Sequence, residues 1–299
     1  MNFTLRIATV LFSLCAFFPL AGESVRIATY NLHNFLPTNR LVDGQWRPDY
    51  PKPEGEKRAL RTNILLQRPD VLAVQEIGAE EYLAELQADL AAGGLPFPYL
   101  AWMPSVDGLR NTAIFSRLPI ASVVRHDDLD FKYFDRREPV KRGLLEVNLN
   151  IQAGVFHRLR LFVVHLKSKY SEEAKDPDSR KRRLGEAEAC RNRIIERTHA
   201  VSHGLYCITG DFNDHPKSAT VRRFCQRGDL HFGQSVPAED ERGTVWTYYY
   251  AKKAHYSTID GFVCSLELLP RIAGGKGRIA PDLLGSDHRM VYIDVDFPR

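Results

Sequence analysis

The sequence predicts an α/β sandwich, on three observations. Short runs rich in β-branched and aromatic residues recur from Val25 to Val295, with strand lengths and strand composition. A few longer stretches carry apolar residues at helical spacing and stop at Gly or before Pro. Strand–helix–strand units coexist with direct strand-to-strand meanders, which argues against an all-parallel sheet.

The elements follow in chain order. Residues 1–24 have the layout of a secretory signal peptide: Arg6, the apolar stretch Ile7–Leu20, then small residues at Ala21, Gly22 and Ser24. That stretch is shorter than the ~20 residues that span a bilayer, and Pro19 disturbs a helix end. Cys15 lacks the preceding small residue that lipoprotein processing wants. The expectation is a cleaved leader, a domain at 25–299 and a periplasmic or secreted protein. Strand Val25–Tyr30 comes first, then an exposed loop over Leu36–Gly55, rich in Pro and polar residues. Helix Glu56–Gln67 follows, with Leu60, Ile64 and Leu65 at helical spacing, and stops before Arg68-Pro69. Strand Val71–Gln75, helix Glu80–Ala92 and strands Tyr99–Trp102 and Thr112–Ser116 come next. Leu144–Ile151 and Leu159–Leu166 pair as a hairpin. Ser168–Arg183 reads as a second exposed loop leading into helix Ser179–Ser202. Strand Leu205–Thr209, helix Ser218–Arg227 and strands Thr244–Tyr250, Ile259–Ser265 and Met290–Val295 complete the chain. No composition shift marks a second domain.

Composition narrows the class. With 44% hydrophobic and 26% charged residues and a net charge of +4, the chain is globular, and neither disordered, collagen-like nor histone-like. The mild basic excess permits a polyanionic partner without requiring one. Beyond the leader no segment is apolar enough for stable membrane insertion, and nothing points to a protein partner, so a monomer is expected. Cys190, Cys207, Cys225 and Cys264 follow the leader. They are either disulfide-paired, in one of three connectivities, or buried thiols. No Cys-x-x-Cys spacing supports a structural zinc.

Function is written at the strand ends. Apolar runs deliver Asn31, Glu76, His165 and Asp211, with Asn213 two residues on; Ile259 precedes Asp260, and Asp287-His288 opens the last strand. Each has a plain alternative, such as a turn former, an Asx turn or a buried histidine. Together they carry a chemistry, because the ends of rigid strands are where distant residues converge. Glu76, Asp287 and Asn31 offer hard oxygen ligands suited to Mg²⁺, Mn²⁺ or Ca²⁺. Two histidines and two further carboxylates remain for proton transfer. A divalent ion plus His–Asp pairs suits phosphoryl-ester hydrolysis by an in-line water.

The motifs Ile27–Leu32 (IATYNL), Asp70–Glu76 (DVLAVQE), Ala113–Ile120 (AIFSRLPI), Val163–Lys169 (VVHLKSK), Ile208–Asp214 (ITGDFND), Ile259–Phe262 (IDGF) and Gly285–Arg289 (GSDHR) stand in one order. In that order the chain resembles the endonuclease/exonuclease/phosphatase superfamily, the deoxyribonuclease I-like proteins, and among them bacterial secreted nucleases. The resemblance implies a four-layer α/β/β/α sandwich, two packed mixed β-sheets flanked by helices. It implies Glu76 as principal metal ligand with Asn31, and Asp287 completing the site. It implies His288 as the proton-transfer histidine oriented by Asp260, and Asp211 on the attacking water. Asn213 would donate to the transition-state phosphate oxygens, and His165 would contact the phosphate or protonate the leaving group. Arg137, in Arg137-Glu138-Pro139, and Arg142 compete for a phosphate contact.

Nucleic acid is the expected substrate. Lys167, Lys169 and the basic run Arg180–Arg183 can track a backbone, and Trp246–Tyr250 can stack bases, although a solvated helix start and a core strand are the plainer readings of the basic run and the aromatic run. A phospholipid phosphodiesterase or a small-molecule phosphatase is the alternative. No exposed apolar hairpin of the kind a sphingomyelinase uses is visible, and the basic pocket of an inositol phosphatase is not evident in the motifs. A non-catalytic binding module on the same fold is the alternative of another class.

Overall fold

Two mixed sheets lie face to face in the computed structural model, which describes residues 24–153, 156–199, 204–281 and 284–297. The leader, apart from Ser24, lies outside the described residues, as do residues 154–155 and the part of the predicted helix Ser179–Ser202 that follows His199.

Thirteen strands build the two sheets: β1 Ser24–Phe35, β2 Val71–Ile77, β3 Tyr99–Met103, β4 Asn111–Ser116, β5 Ile120–His126, β6 Leu144–Ala153, β7 Phe156–His165, β8 Leu205–Asp211, β9 Gly233–Val236, β10 Ala238–Glu239, β11 Asp260–Ser265, β12 Gly277–Ile279 and β13 Val291–Asp296. The helices are α1 Glu54–Gln67, α2 Glu80–Ala92, α3 Arg180–His199 and α4 Ala219–Arg223. One sheet has the order β10-β12-β13-β1-β2-β4-β3, the other β9-β11-β8-β7-β6-β5. β1 and β2 run parallel, as do β7 and β8, while β13 and β11 return antiparallel beside them.

Side-chain alternation makes the layers. In β1, Val25 and Ile27 enter the inter-sheet core, where Val147, Leu161, Val163, Cys207 and Cys264 meet them. Ala28 and Tyr30 point the other way, against Leu60 and Ile64 of α1 and Leu83 and Leu86 of α2. Phe162, Val164 and Ile208 similarly pack outward on Ala187, Cys190 and Ile194 of α3. Both faces of the central strands are covered, so they read as continuous apolar runs. The predicted four-layer sandwich is the fold observed.

The departures are local. Leu36–Gly55, expected as a loop, contains the hairpin Thr38–Val42/Gln45–Tyr50. Its strands bury no face, so no apolar alternation announces them; the Asp43-Gly44 turn, with φ of 51° and 76°, was the available signal. It exposes two apolar side chains, Leu41 at 60% and Trp46 at 72%, as cross-strand partners on a hairpin that also carries Arg40, Asp43, Arg47 and Asp49. β5 was unpredicted. Helix Ser218–Arg227 shortens to α4, because Gln226-Arg227 turns back at Gly228 to pair with Leu230-His231. Of Thr244–Tyr250 only Tyr248–Tyr250 is strand, paired with His255–Ser257. Among the described residues no helix is long and apolar enough to cross a membrane.

Candidate active site

The predicted residues converge because parallel neighbours end together. His165 and Asp211 are register partners at the ends of β7 and β8, and Asp260 faces Asp211 from β11. In the other sheet the β1–β2 ladder breaks after Asn31 and Gln75, and Glu76 takes a φ of 61°. This bulge turns Glu76 off the ladder, where its Oε2 accepts the Asn34 N–H at 3.0 Å.

Asp211 is the buried centre. Its Oδ2 accepts from Asn31 Nδ2 and Asn213 Nδ2, both at 3.0 Å, and its Oδ1 accepts the Asn213 N–H at 2.8 Å. Burial, reinforced by the Asp260 charge, pushes its carboxyl up to about 7. His288 Nδ1 lies 2.9 Å from Asp260 Oδ2, and its Nε2 stands 3.9 Å from Asp211 Oδ2. Burial acts against the imidazolium, yet the Asp260 carboxylate, with Asp211 and Asp287 behind it, raises His288 to about 10. His165 Nε2 sits 3.6 Å from Asp211 Oδ2 and 3.8 Å from Glu76 Oε1, while its Nδ1 is buried without a hydrogen-bond partner. Burial and the Arg142 charge hold His165 well below the usual histidine range, so it is neutral. Asp287 Oδ1 is buried with no hydrogen bond, 3.6 Å from His33 Nδ1.

Glu76, His165, Asp211, Asn213, Asp287 and His288 line one cavity of about 680 Å³, with Arg142 and Lys167 on its wall. Asn31 and Asp260 stand behind them. Arg137 is not there. It is 63% exposed on its side chain and pairs with Asp130, whereas Arg136 lines the cavity. Adjacent residues of the short strand Arg136–Pro139 face opposite ways, which corrects the choice of arginine. Asn213 is also corrected: its Nδ2 is spent on Leu166 O and Asp211 Oδ2, which makes it a support of Asp211 rather than a free donor. The basic run splits, with Arg182 at the cavity and Arg183 buried against Asp214 and the Lys167 carbonyl.

Sequence reasoning missed four supporting groups. Thr247 Oγ1 donates to Asp260 Oδ2 at 2.7 Å, and Ser286 Oγ donates to Asn31 O while accepting the His288 N–H. Tyr248 packs its ring 4.8 Å from that of His288, and Arg110 Nε stands 3.9 Å from Glu76 Oε2. Ser286 was legible inside Gly285–Arg289; Thr247 and Tyr248 were hidden in an aromatic run, and Arg110 carried no signal. Asp211, Asp260 and His288 bring possible metal-ligand atoms within 4.8 Å of one another.

The family model for endonuclease/exonuclease/phosphatase proteins matches residues 28–288. No curated protein matches the chain. Among solved structures it is similar to an endonuclease/exonuclease/phosphatase family protein from Leptotrichia buccalis, at 18% identity and a TM-score of 0.60, covering 91% of this chain and 100% of that one. The human Nocturnin catalytic domain with bound sulfate is similar at 14% and 0.61, covering 91% and 93%. Sphingomyelinase C from Streptomyces griseocarneus is similar at 16% and 0.60, covering 91% and 99%. With the family match spanning every carboxylate that lines the cavity, the chain belongs to the endonuclease/exonuclease/phosphatase family, whose enzymes are hydrolases of phosphoester bonds.

Proposed function

We propose that this chain is an exported, divalent-metal-dependent phosphodiesterase, and within that class a nuclease acting on DNA or RNA. The observation that carries the reading is the Asp260–His288 pair beside Asp211, in one cavity with Glu76 and Asp287 and a cationic wall. Asp211, ionised above about 7, accepts a proton from the attacking water. His288, kept as imidazolium, gives a proton to the leaving oxygen, and Asp260 holds its ring and charge. His165 is neutral and is assigned a hydrogen bond to a phosphate oxygen, not the leaving-group proton. Asn31 and Asn213 fix the Asp211 carboxylate.

Asn31, Glu76 and Asp287 would hold Mg²⁺, Mn²⁺ or Ca²⁺. The fit rests on hard oxygen donors and on the buried, unpartnered Asp287 Oδ1. The Asp211–Asp260–His288 group fits an ion less well, because His288 Nδ1 is committed to Asp260 and both Asp211 oxygens already accept hydrogen bonds. A divalent ion, when bound, neutralises charge on the phosphorus oxygens.

The test is relaxation of supercoiled plasmid by purified residues 25–299, with Mg²⁺ or Mn²⁺ and with EDTA. Metal-dependent nicking is expected, lost in His288→Ala and cut by about a thousandfold or more in Asp211→Asn. Folded protein that neither nicks the plasmid nor cleaves single-stranded RNA in the same buffers would sink the nuclease reading. The exposed Leu41 and Trp46 favour a second reading, a lipid phosphodiesterase. Sphingomyelin vesicles in the same assay decide between the two.

A further inference from the structure

One wall of the cavity gathers four cationic side chains. Lys141 and Arg142, in the turn before β6, share its wall with Lys167, just after β7, and Arg182, in the first turn of α3. Arg142 Nε and Nη1 and Arg182 Nε are buried without a hydrogen-bond partner. Buried cationic donors left unpaired are costly, so they call for an acceptor. The other donors are better placed: Lys167 Nζ is held by Tyr170 O and Ser168, and Arg182 Nη2 by Glu138. The acids on the same wall are locally engaged. Asp107 accepts from Ser105 Oγ and the Leu109 N–H, Glu172 from Tyr170, and Glu173 from the Lys175 N–H. The α3 N-terminus is not the attraction, because Asp176 already caps the Lys181 and Arg182 N–H groups. Crowding of like charges is visible at Lys167, which burial and then the Arg142 charge lower to about 8.

A scissile diester has two non-bridging oxygens and one negative charge. His165 and His288 already face it, and an ion held by Asn31, Glu76 and Asp287 would neutralise its charge. It cannot also fill the vacant donors of Arg142 and Arg182. Resting on the phosphodiesterase reading above, we propose that Lys141, Arg142, Lys167 and Arg182 form a second anion subsite that takes a further phosphate of the same substrate. The preferred substrate is then a phosphodiester with a neighbouring phosphate, supplied either by a nucleic-acid chain or by a small bisphosphate.

The experiment compares the p-nitrophenyl ester of thymidine 5′-phosphate with the same ester carrying a 3′-phosphate. In wild type the added phosphate is expected to raise kcat/KM by about tenfold or more, mainly through KM. In Arg142→Gln, and in Lys141→Gln should the first variant fold poorly, that ratio is expected to fall to about one. Equal rates on both esters in wild type would overturn the subsite. Equal losses on both esters in the variants would also overturn it, and would assign Arg142 to the scissile phosphate. Should the protein cleave neither ester, the phosphodiesterase reading fails separately. Calorimetry with thymidine 3′,5′-bisphosphate against thymidine 5′-phosphate then judges the subsite alone: tighter binding of the bisphosphate by about tenfold supports it, and equal affinity overturns it. Competition by propane-1,3-diol bisphosphate as strong as that by thymidine 3′,5′-bisphosphate assigns a small bisphosphate. Competition by the nucleotide alone assigns a nucleic-acid chain.

Discussion

Asp211 and His288 carry opposite charges across 3.9 Å, and both are shifted upward. Each upward shift therefore contributes stability that is present at low pH and lost as pH rises. For Asp211 the loss runs from the ordinary 3.8 to about 7, and for His288 from 6.5 to about 10. Activity needs Asp211 ionised and His288 protonated, so kcat/KM against pH is expected to be bell-shaped, with an acid limb near 7 and an alkaline limb near 10. Asp260→Asn removes the carboxylate that does most to hold the imidazolium. Its alkaline limb is expected to move down, with a rate loss of about a thousandfold or more. A stopped-assay profile on bis(p-nitrophenyl) phosphate measures both; an unmoved alkaline limb would refute the Asp260 role. At this scale the sequence was informative where a reactive residue ended or opened an apolar run, as at His165 and Asp211 and at Asp260. It was uninformative where placement depends on which side of a strand a side chain takes. Arg136 and Arg137 are chemically identical neighbours, separated by their partners, Glu138 for Arg136 and Asp130 for Arg137. Asn213 was legible as a site residue, but not that both its amide and its backbone N–H serve Asp211.

Strands place these groups, and one glycine controls the placement. Gly210, in β8 immediately before Asp211, has a φ of 138°, and a Cβ there would stand 1.9 Å from Val164 O in β7. No side chain can move to relieve that contact, since the obstacle is backbone. Gly210→Ala is expected to destabilise by about 3 kcal/mol or more, from positive-φ strain plus the forced separation of β7 and β8. It also displaces Asp211 from His165, so activity falls further than stability alone accounts for. Gly204→Ala meets open space and is expected to stay within about 0.5 kcal/mol of wild type. Urea unfolding of the pair checks the contrast; equal stabilities would contradict it. Legibility differs element by element for a similar reason. β1, β2, β7 and β8 are buried on both faces and announce themselves as apolar runs. The hairpin Thr38–Val42/Gln45–Tyr50 buries neither face, and β5 (IASVVRH) alternates weakly because it closes an edge. Helix ends were clear at Gly93 and Arg68, where a glycine or a left-handed residue stops the ladder.

The sandwich as a whole decides what its cysteines can do. An exported chain permits disulfides, and sequence alone left pairing and burial as equal alternatives, because strand register cannot be read from spacing. In the fold Cys190, Cys207, Cys225 and Cys264 are all free thiols. Cys207 and Cys264 face each other across β8 and β11 inside the inter-sheet core, and Cys190, on the buried face of α3, packs against the second sheet. Burial raises the Cys190, Cys225 and Cys264 thiols, with Cys207 adding to the effect at Cys264. The thiolate is the reactive form, so buried thiols with raised pKa values stay inert even in an oxidising compartment. Their contribution is to fill volume between layers, as other small apolar side chains do. For purified residues 25–299, Ellman's reagent is therefore expected to titrate no thiol beyond the half-buried Cys225 in the native state, and all four after denaturation. A reductant is expected to leave Tm unchanged. Two fewer thiols in the denatured protein, with a Tm that drops on reduction, would instead mean that Cys207 and Cys264 bridge β8 to β11. The strand ends that carry Asp211 and Asp260 would then be held by a covalent bond rather than by packing alone.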